Sequence, residues 1–315
     1  MRVTDIVAIL IPVFAVIGLG YFAGARKVFD SDQIEGFNEF VLGFALPAMI
    51  FASVLGTPRR VLLGVGALFL AITAVQLVFM ALGLVLGRVV FKRDLASSTI
   101  VALMISVPTA AFMGAPILDD LFSTASASIA ISLYAITISV AILPIAIAIL
   151  EWSTRSAEAA AGAGSVLGGV LLQTLKKAIV WAPIAALALA FAGVELPSPF
   201  DASLDLIGQT TSAVALFASG LILARYRLTF GIEPVTLAVI KDIAQPAAML
   251  AIAVAFGITG TARSEAVILT AMPASVVGPM LAVRYGTYES DSASALIIGT
   301  VLSSATLIAV VALMG

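Results

Sequence analysis

Several stretches of this chain are too apolar and too long for any setting except a lipid bilayer. Ile6–Phe22 and Val61–Val90 run almost without charge, and roughly 20 such residues cross the hydrocarbon core as a helix. The runs are continuous, not the short alternating segments of a membrane barrel. Composition agrees, with 62% hydrophobic residues, 11% charged residues and a mean hydropathy of +1.18. The reading is an all-α membrane protein, its first run a retained helix and not a cleaved leader.

Ten spans are expected, at about 5–24, 34–55, 61–89, 95–118, 125–150, 166–192, 202–224, 230–257, 263–283 and 291–314. With the N-terminus outside, inner loops hold Arg26, Lys27, Arg88, Lys92, Arg93, Arg155, Lys176, Lys177, Arg225, Arg227 and Arg284. Outer positions hold only Arg2, Arg59, Arg60 and Arg263. The excess of inner cations puts both termini outside.

Several classes of chemistry drop out. The chain has no cysteine, so disulfides and thiolate metal sites are excluded, and no histidine, so Ser-His nucleophiles and histidine relays are excluded as well. A rhomboid-type intramembrane enzyme needs His, and an aspartyl type needs two membrane Asp residues where Asp242 is the clear one. A non-enzyme without cofactor or metal is expected. The net charge of −2 and the lack of a basic stripe give no reason to expect nucleic acid.

Two spans carry the same pattern at membrane depth: a proline, small residues, then a glycine and a second proline. Ile105–Leu118 (ISVPTAAFMGAPIL) contains Pro108, Gly114 and Pro116, and Thr270–Leu281 (TAMPASVVGPML) contains Pro273, Gly278 and Pro279. A helix-interior proline lacks a donor and clashes with the carbonyl one turn back. Each stretch is therefore expected to be two half-helices joined by unwound chain, tolerated where it lines a cavity. The two stretches also match as a repeat. IFAS at 50–53 returns as LFAS at 216–219, Pro108 as Pro273, Pro116 as Pro279 and SAS at 126–128 as SAS at 292–294, at offsets between 163 and 166 residues. Five spans per copy is an odd number, so the second copy enters from the opposite side. Such inverted repeats with matching broken helices point to a secondary transporter with a midplane site. The copies are 1–150 and 166–315, joined by an Ala/Gly/Ser-rich cytoplasmic linker at 151–165.

Lys241 and Asp242 lie inside span 8, where an ionisable group is costly unless it faces a cavity or a partner. Lys241 is a candidate for attracting a substrate carboxylate or exchanging a proton, and Asp242 for accepting a proton or cation; a structural ion pair is the alternative. Gln76 occupies the repeat position of Lys241 and joins them as a coupling or charge-sensing candidate. Amides freed at the half-helix N-termini would bind an anion, which makes Pro108, Thr109, Met113, Gly114, Pro116, Pro273, Ser275, Gly278 and Pro279 the substrate-binding candidates. Ser53, Gly56, Ser219 and Gly220 read as sites of close helix approach.

LPAMIF at 46–51, FMGAPIL at 112–118, KDIAQP at 241–246 and AMPASVVGPMLAVRYG at 271–286 resemble the auxin efflux carrier family, in its bacterial members, over the whole chain. The resemblance implies the bile-acid/sodium symporter-like fold, with broken helices 4 and 9 crossing at their unwound centres. It also implies a scaffold of helices 1, 2, 6 and 7, and transport helices 3–5 and 8–10 that move across the membrane as in an elevator. Val107 and Met272 stand where the family usually carries Asn beside the crossover proline. The implied function is secondary active transport of a small organic anion, a carboxylate or indole-type acid, across the bacterial cytoplasmic membrane. A sodium-coupled bile-acid-type symporter is the alternative. Expected partners are the substrate and membrane lipid, with H+ and Na+ as candidate coupling ions and a homodimer as the candidate assembly.

Overall fold

A computed structural model describes residues 3–57, 66–122, 124–158, 163–194, 196–226 and 228–314. The expected basic positions Arg2, Arg59, Arg60 and Arg227 lie outside them, as do residues 159–162 of the expected linker. The described residues form thirteen helical elements and no strand, matching a membrane protein whose backbone polar groups must be satisfied internally. They are α1 (Val3–Ala25), α2 (Ser31–Leu55), α3 (Gly66–Val90), α4 (Leu95–Ser106), α5 (Ala110–Leu121), α6 (Thr124–Thr137 continuing through Leu143–Glu158) and α7 (Ala163–Lys176). After these come α8 (Ala178–Ala192), α9 (Ser198–Arg225), α10 (Ile232–Ala255), α11 (Gly260–Ala271), α12 (Val277–Tyr285) and α13 (Glu289–Met314). Six are long and apolar enough to cross a membrane: α2, α3, α6 over Ile129–Thr154, α9, α10 and α13.

The stretch expected as one span at 166–192 is divided. Lys177 is extended, with ψ 129°, and separates α7 from α8. Its ammonium pairs with Glu151 at 2.9 Å.

Three helices contain a wide π turn in mid-course, Val41–Ala45, Ile138–Ile142 and Ile240–Ala244. Each lies two residues before a proline: Pro47, Pro144 and Pro246. In each, the residue ahead of the proline donates to the carbonyl five residues back: Leu46 to Val41, Leu143 to Ile138, Gln245 to Ile240. The extra residue in the turn moves aside the carbonyl that the proline ring would otherwise strike, so the helix continues. The third π turn contains Lys241 and Asp242.

The most completely buried elements are the short ones. Every residue of α4 from Ser97 to Ser106 is buried, as are Ser264–Ala271 of α11 and Val277–Ala282 of α12. A helix apolar all round belongs inside a larger bundle. Around them α3, α6, α10 and α13 pack as longer helices, while α1, α2, α8 and α9 pack on one another. Outward-facing Leu19, Phe22, Phe44, Leu206 and Phe230 are each more than half exposed, as a lipid-facing surface requires.

At one end, Arg93 gathers the starts of three helices. Its guanidinium meets Glu233 at 3.1 Å and Asp291 at 3.2 Å and stacks 5.4 Å from the Tyr288 ring, while the Tyr288 hydroxyl donates to Glu233 at 2.8 Å. The hydrogen bonds to Glu233 hold Arg93 above its ordinary value; burial, then the bond to Glu233, push the Tyr288 hydroxyl above the usual phenol range. Arg93 is 41% exposed, so salt screens these pairs. Arg93→Ala is expected to lower stability by about 1 kcal/mol at low salt. The difference should shrink in unfolding scans at high salt; an undiminished difference would place the effect in lost packing.

Candidate functional site

Both proline stretches change course at the centre of the molecule. α4 ends at Ser106 and α5 starts at Ala110; α11 ends at Ala271 and α12 starts at Val277. The extended residues between them lie antiparallel, with Pro108 facing Ala274. The Thr109 N–H donates to the Pro273 carbonyl at 2.9 Å, and the Ser275 N–H to the Val107 carbonyl at 2.9 Å. The two interruptions thus satisfy each other's backbone, as a buried polar chain must.

Not every proline interrupts its helix. Pro116 lies within α5, so the expectation that each proline breaks the chain does not hold there. Pro279 falls in the first turn of α12, where an N–H has no intrahelical partner to lose.

α10 reaches both interruptions. The Lys241 ammonium donates to the carbonyls of Thr270 at 2.8 Å and Met272 at 2.7 Å, at the C-terminal end of α11. Four residues on, the Gln245 side-chain amide donates to the Ser106 carbonyl at 2.8 Å, at the end of α4. Residues four apart share a helix face, so one face of α10 satisfies the last carbonyls of both half-helices. The ammonium also faces the negative end of a helix dipole. Gln245 is not among the sequence candidates, although its spacing from Lys241 marks it.

The remaining candidates separate into groups. Thr109 and Ser275 line a cavity of about 30 Å³ with Val107, Pro108, Met49 and Ser139, a volume close to that of one water molecule. Ser275 Oγ accepts from the Val277 N–H at 3.3 Å. Met113 is buried in the core. Gly114 and Gly278 are packing positions: an added Cβ would meet Leu269 and Ile131 at 3.0 Å, or the Met104 sulfur at 2.5 Å. Gln76 is fully buried, and neither of its side-chain polar atoms has a partner among the described residues; the same holds for both Asp242 oxygens, the Ser106 hydroxyl and the Gln245 oxygen. Lys241 and Asp242 do not form an ion pair with each other. No group of His, Cys, Asp and Glu able to hold a metal occurs among the described residues.

Sequence reasoning missed three further contacts. Glu151 on α6 pairs with Lys177 at 2.9 Å and accepts from the Tyr285 hydroxyl at 2.8 Å, linking α6, α8 and α12. Asn38 on α2 donates to the Met280 carbonyl at 3.2 Å. Their partners lie up to 242 residues away, and no local pattern marks them.

An all-helical membrane chain with polar groups and paired helix ends at its centre falls in the class of membrane transport proteins. The chain belongs to the membrane transport protein family, the family of the auxin efflux carriers, whose profile matches residues 5–311. It is 28% identical over 288 residues to "Uncharacterized transporter YfdV" of Escherichia coli (strain K12), covering 91% of this chain and 90% of that protein. It is 24% identical over 309 residues to "Putative malonate transporter" of Rhizobium meliloti (strain 1021), covering 96% and 93%. Over 113 residues it is 29% identical to "Probable auxin efflux carrier component 5a" of Oryza sativa subsp. japonica, covering 35% and 31%.

Proposed function

We propose that this protein is a secondary active carrier for a small organic anion, a dicarboxylate such as malonate being the first choice, in the bacterial cytoplasmic membrane. Ten passages make up the chain: α1, α2, α3, α4 with α5, α6, α8, α9, α10, α11 with α12, and α13. They form two inverted repeats of five, with both termini outside. The group α1, α2, α8 and α9 is the scaffold, and the remaining helices move against it. The link from Glu151 to Lys177 crosses between the groups and must open and reform as they move.

The observation that carries this reading is the bridge between Pro108 and Ala274. It places the start of α5 close to the start of α12. Helix N-termini carry positive partial charge and free N–H groups, which favour an anion. The opposing C-terminal ends already have donors, Lys241 for α11 and Gln245 for α4. Carboxylate would therefore bind on the α5 and α12 side, at the positive dipole ends of both helices and beside the Thr109 hydroxyl at the start of α5; at α12 the Val277 and Gly278 N–H groups already donate to Ser275 and Pro279 has none. The 30 Å³ cavity there is too small for a dicarboxylate, so loading requires α2, which contributes Met49, to move away from the crossing. The match to a protein named for malonate over nearly the full length of both chains supports the substrate class.

The test is charge movement in proteoliposomes on adding mono- and dicarboxylates and indole acids, with and without sodium and a pH gradient. A substrate-specific current or labelled-anion uptake is expected for a short dicarboxylate. An inert response across the panel in both assays refutes the reading.

A further inference from the structure

Asp242 takes no part in satisfying the helix ends. Both of its oxygens are buried without a partner among the described residues, and the neighbouring ammonium is committed to Thr270 and Met272. The carboxyl lies against α13 where that helix has no side chain: a Cβ added to Gly299 would sit 3.2 Å from Asp242 Oδ2. Asp242 also lines one end of a cavity of about 260 Å³ between α10, α11 and α13. The cavity wall continues past Pro246 and Leu250 on α10, about 12 Å along the helix, and past Thr306 and Val310 to Leu313 and Met314 in the last turn of α13. The groove is apolar and open at its outer edge, where Ile243 is 48% and Leu313 77% exposed, and it leads from the buried Asp242 towards the end of the molecule that bears the C-terminus.

The lining of this groove distinguishes among ions. A metal cation leaving water needs a cage of oxygens in place of its hydration shell. Besides Asp242, the only side-chain oxygen on the wall belongs to Thr306, and its hydroxyl is turned to the carbonyls of Leu302 and Ser303. A proton needs only the carboxyl. Protonation also removes a charge that is costly to hold unpaired away from water.

We propose that Asp242 is the proton-binding group of the carrier, loaded with one proton per cycle from the face towards which this groove leads when the moving helices uncover the carboxyl. The site rests on the carrier reading above and supplies its coupling ion. In one cycle a proton leaves water for an Asp242 oxygen, crosses with the moving helices and returns to water on the other face, so a dicarboxylate dianion carried alongside crosses with one net negative charge. The surroundings leave Asp242 to titrate nearly alone. α4 carries no titratable side chain, and α13 none from Ser292 to Met314; Glu289 and Asp291 lie at its far end, Asp291 held by Arg93. α3 contributes only Arg88, at its last turn. On α11, Glu265 precedes the lining residue Val267 by two positions, about 200° around the axis, and turns to Ser126. Arg263 stands one turn before Val267. Lys241 is the neighbouring charge on α10 itself.

Infrared spectroscopy of the purified protein in phosphatidylcholine vesicles tests the site without any substrate. In wild-type-minus-variant difference spectra, one component of the protonated-carboxyl C=O stretch, shifted by heavy water, is expected to titrate with pH in the wild type and in Glu265→Gln and to be missing in Asp242→Asn, above the background of the other carboxyls. A wild type lacking that component at every pH where the fold survives, or an Asp242→Asn protein that keeps it, overturns the proposal. In the same vesicles, with the membrane potential clamped at zero, an imposed pH gradient is expected to concentrate labelled malonate about tenfold per pH unit in the wild type and not in Asp242→Asn, with Asp242→Glu restoring accumulation. Accumulation that survives Asp242→Asn, or that follows sodium instead of pH, also overturns it. A wild type that moves no anion of the panel refutes the carrier reading, and the infrared titration then decides the proton site on its own.

Discussion

Replacing Lys241 with alanine is expected to abolish anion uptake and to lower the unfolding temperature of the detergent-solubilised protein by several degrees. Lys241 is 1% exposed and donates to two carbonyls at the end of α11, at 2.8 and 2.7 Å. Hydrogen bonds from a charged donor contribute about 1.5–3 kcal/mol each, and a buried carbonyl left bare costs a further part of its desolvation. Truncation also opens a cavity where the four-carbon stem lay, so a loss of about 4 kcal/mol is expected. Lys241→Met separates these effects, since it keeps the stem and removes the donor. Thermal scans and uptake of both variants decide the matter. Wild-type stability in Lys241→Met would show that the two carbonyl bonds contribute nothing to folding. Retained uptake in a folded Lys241→Met protein would remove Lys241 from the transport mechanism.

A second large effect is expected at the contact of α1 with α9. Gly20 and Gly220 meet backbone to backbone: a Cβ on Gly20 would strike the Phe217 carbonyl, and one on Gly220 would lie 2.6 Å from the Tyr21 nitrogen and 2.9 Å from the Gly20 carbonyl carbon. One turn further along, Gly24 approaches Ala224 in the same manner, and a Cβ on Gly24 would lie 2.7 Å from the Ala224 Cβ. Small residues four apart on both helices let them approach at backbone distance, the means by which helices associate where lipid is as apolar as the protein. None of these obstacles is the flexible end of a side chain, so Gly220→Val must push the helices apart. The expected cost is at or above the usual 1–3 kcal/mol of overpacking, read as a lower unfolding temperature and loss of a monodisperse peak in size-exclusion chromatography. Gly36→Ala is the control. A Cβ there meets nothing within 4 Å, and replacing a helical glycine with alanine gains about 1 kcal/mol of helix preference. If Gly220→Val unfolds with the wild type, the close approach of α1 and α9 does not hold that face together.

How much of this is legible in the sequence depends on the range of the interaction. Apolar runs, with the cost of leaving backbone groups unpaired in lipid, determine the all-helical membrane class on their own. The lone charges of span 8 announce themselves, because Lys241 and Asp242 have no local reason to be there. The chain interruptions at Pro108 and Pro273 likewise follow from a missing donor and a steric clash. Pro116 departs from that expectation because a proline inside a helix has remedies that depend on its surroundings, and the π turns ahead of Pro47, Pro144 and Pro246 are examples of them.

Tertiary structure decided which groups the central residues meet. Lys241 finds carbonyls 29 and 31 residues away, Gln245 one 139 residues away, and Thr109 the Pro273 carbonyl across the crossing. Hydrophobic periodicity and propensity act over one or two turns and fix what is buried and where a helix stops. A buried donor selects its acceptor by distance and angle after distant segments have packed, and those quantities are absent from any local window of residues. The sequence by itself therefore determined that ionisable groups would lie within a long apolar helix, and that other helices would be interrupted at proline. Only the folded chain decided that the ammonium would satisfy a helix end and leave the carboxyl beside it without a partner.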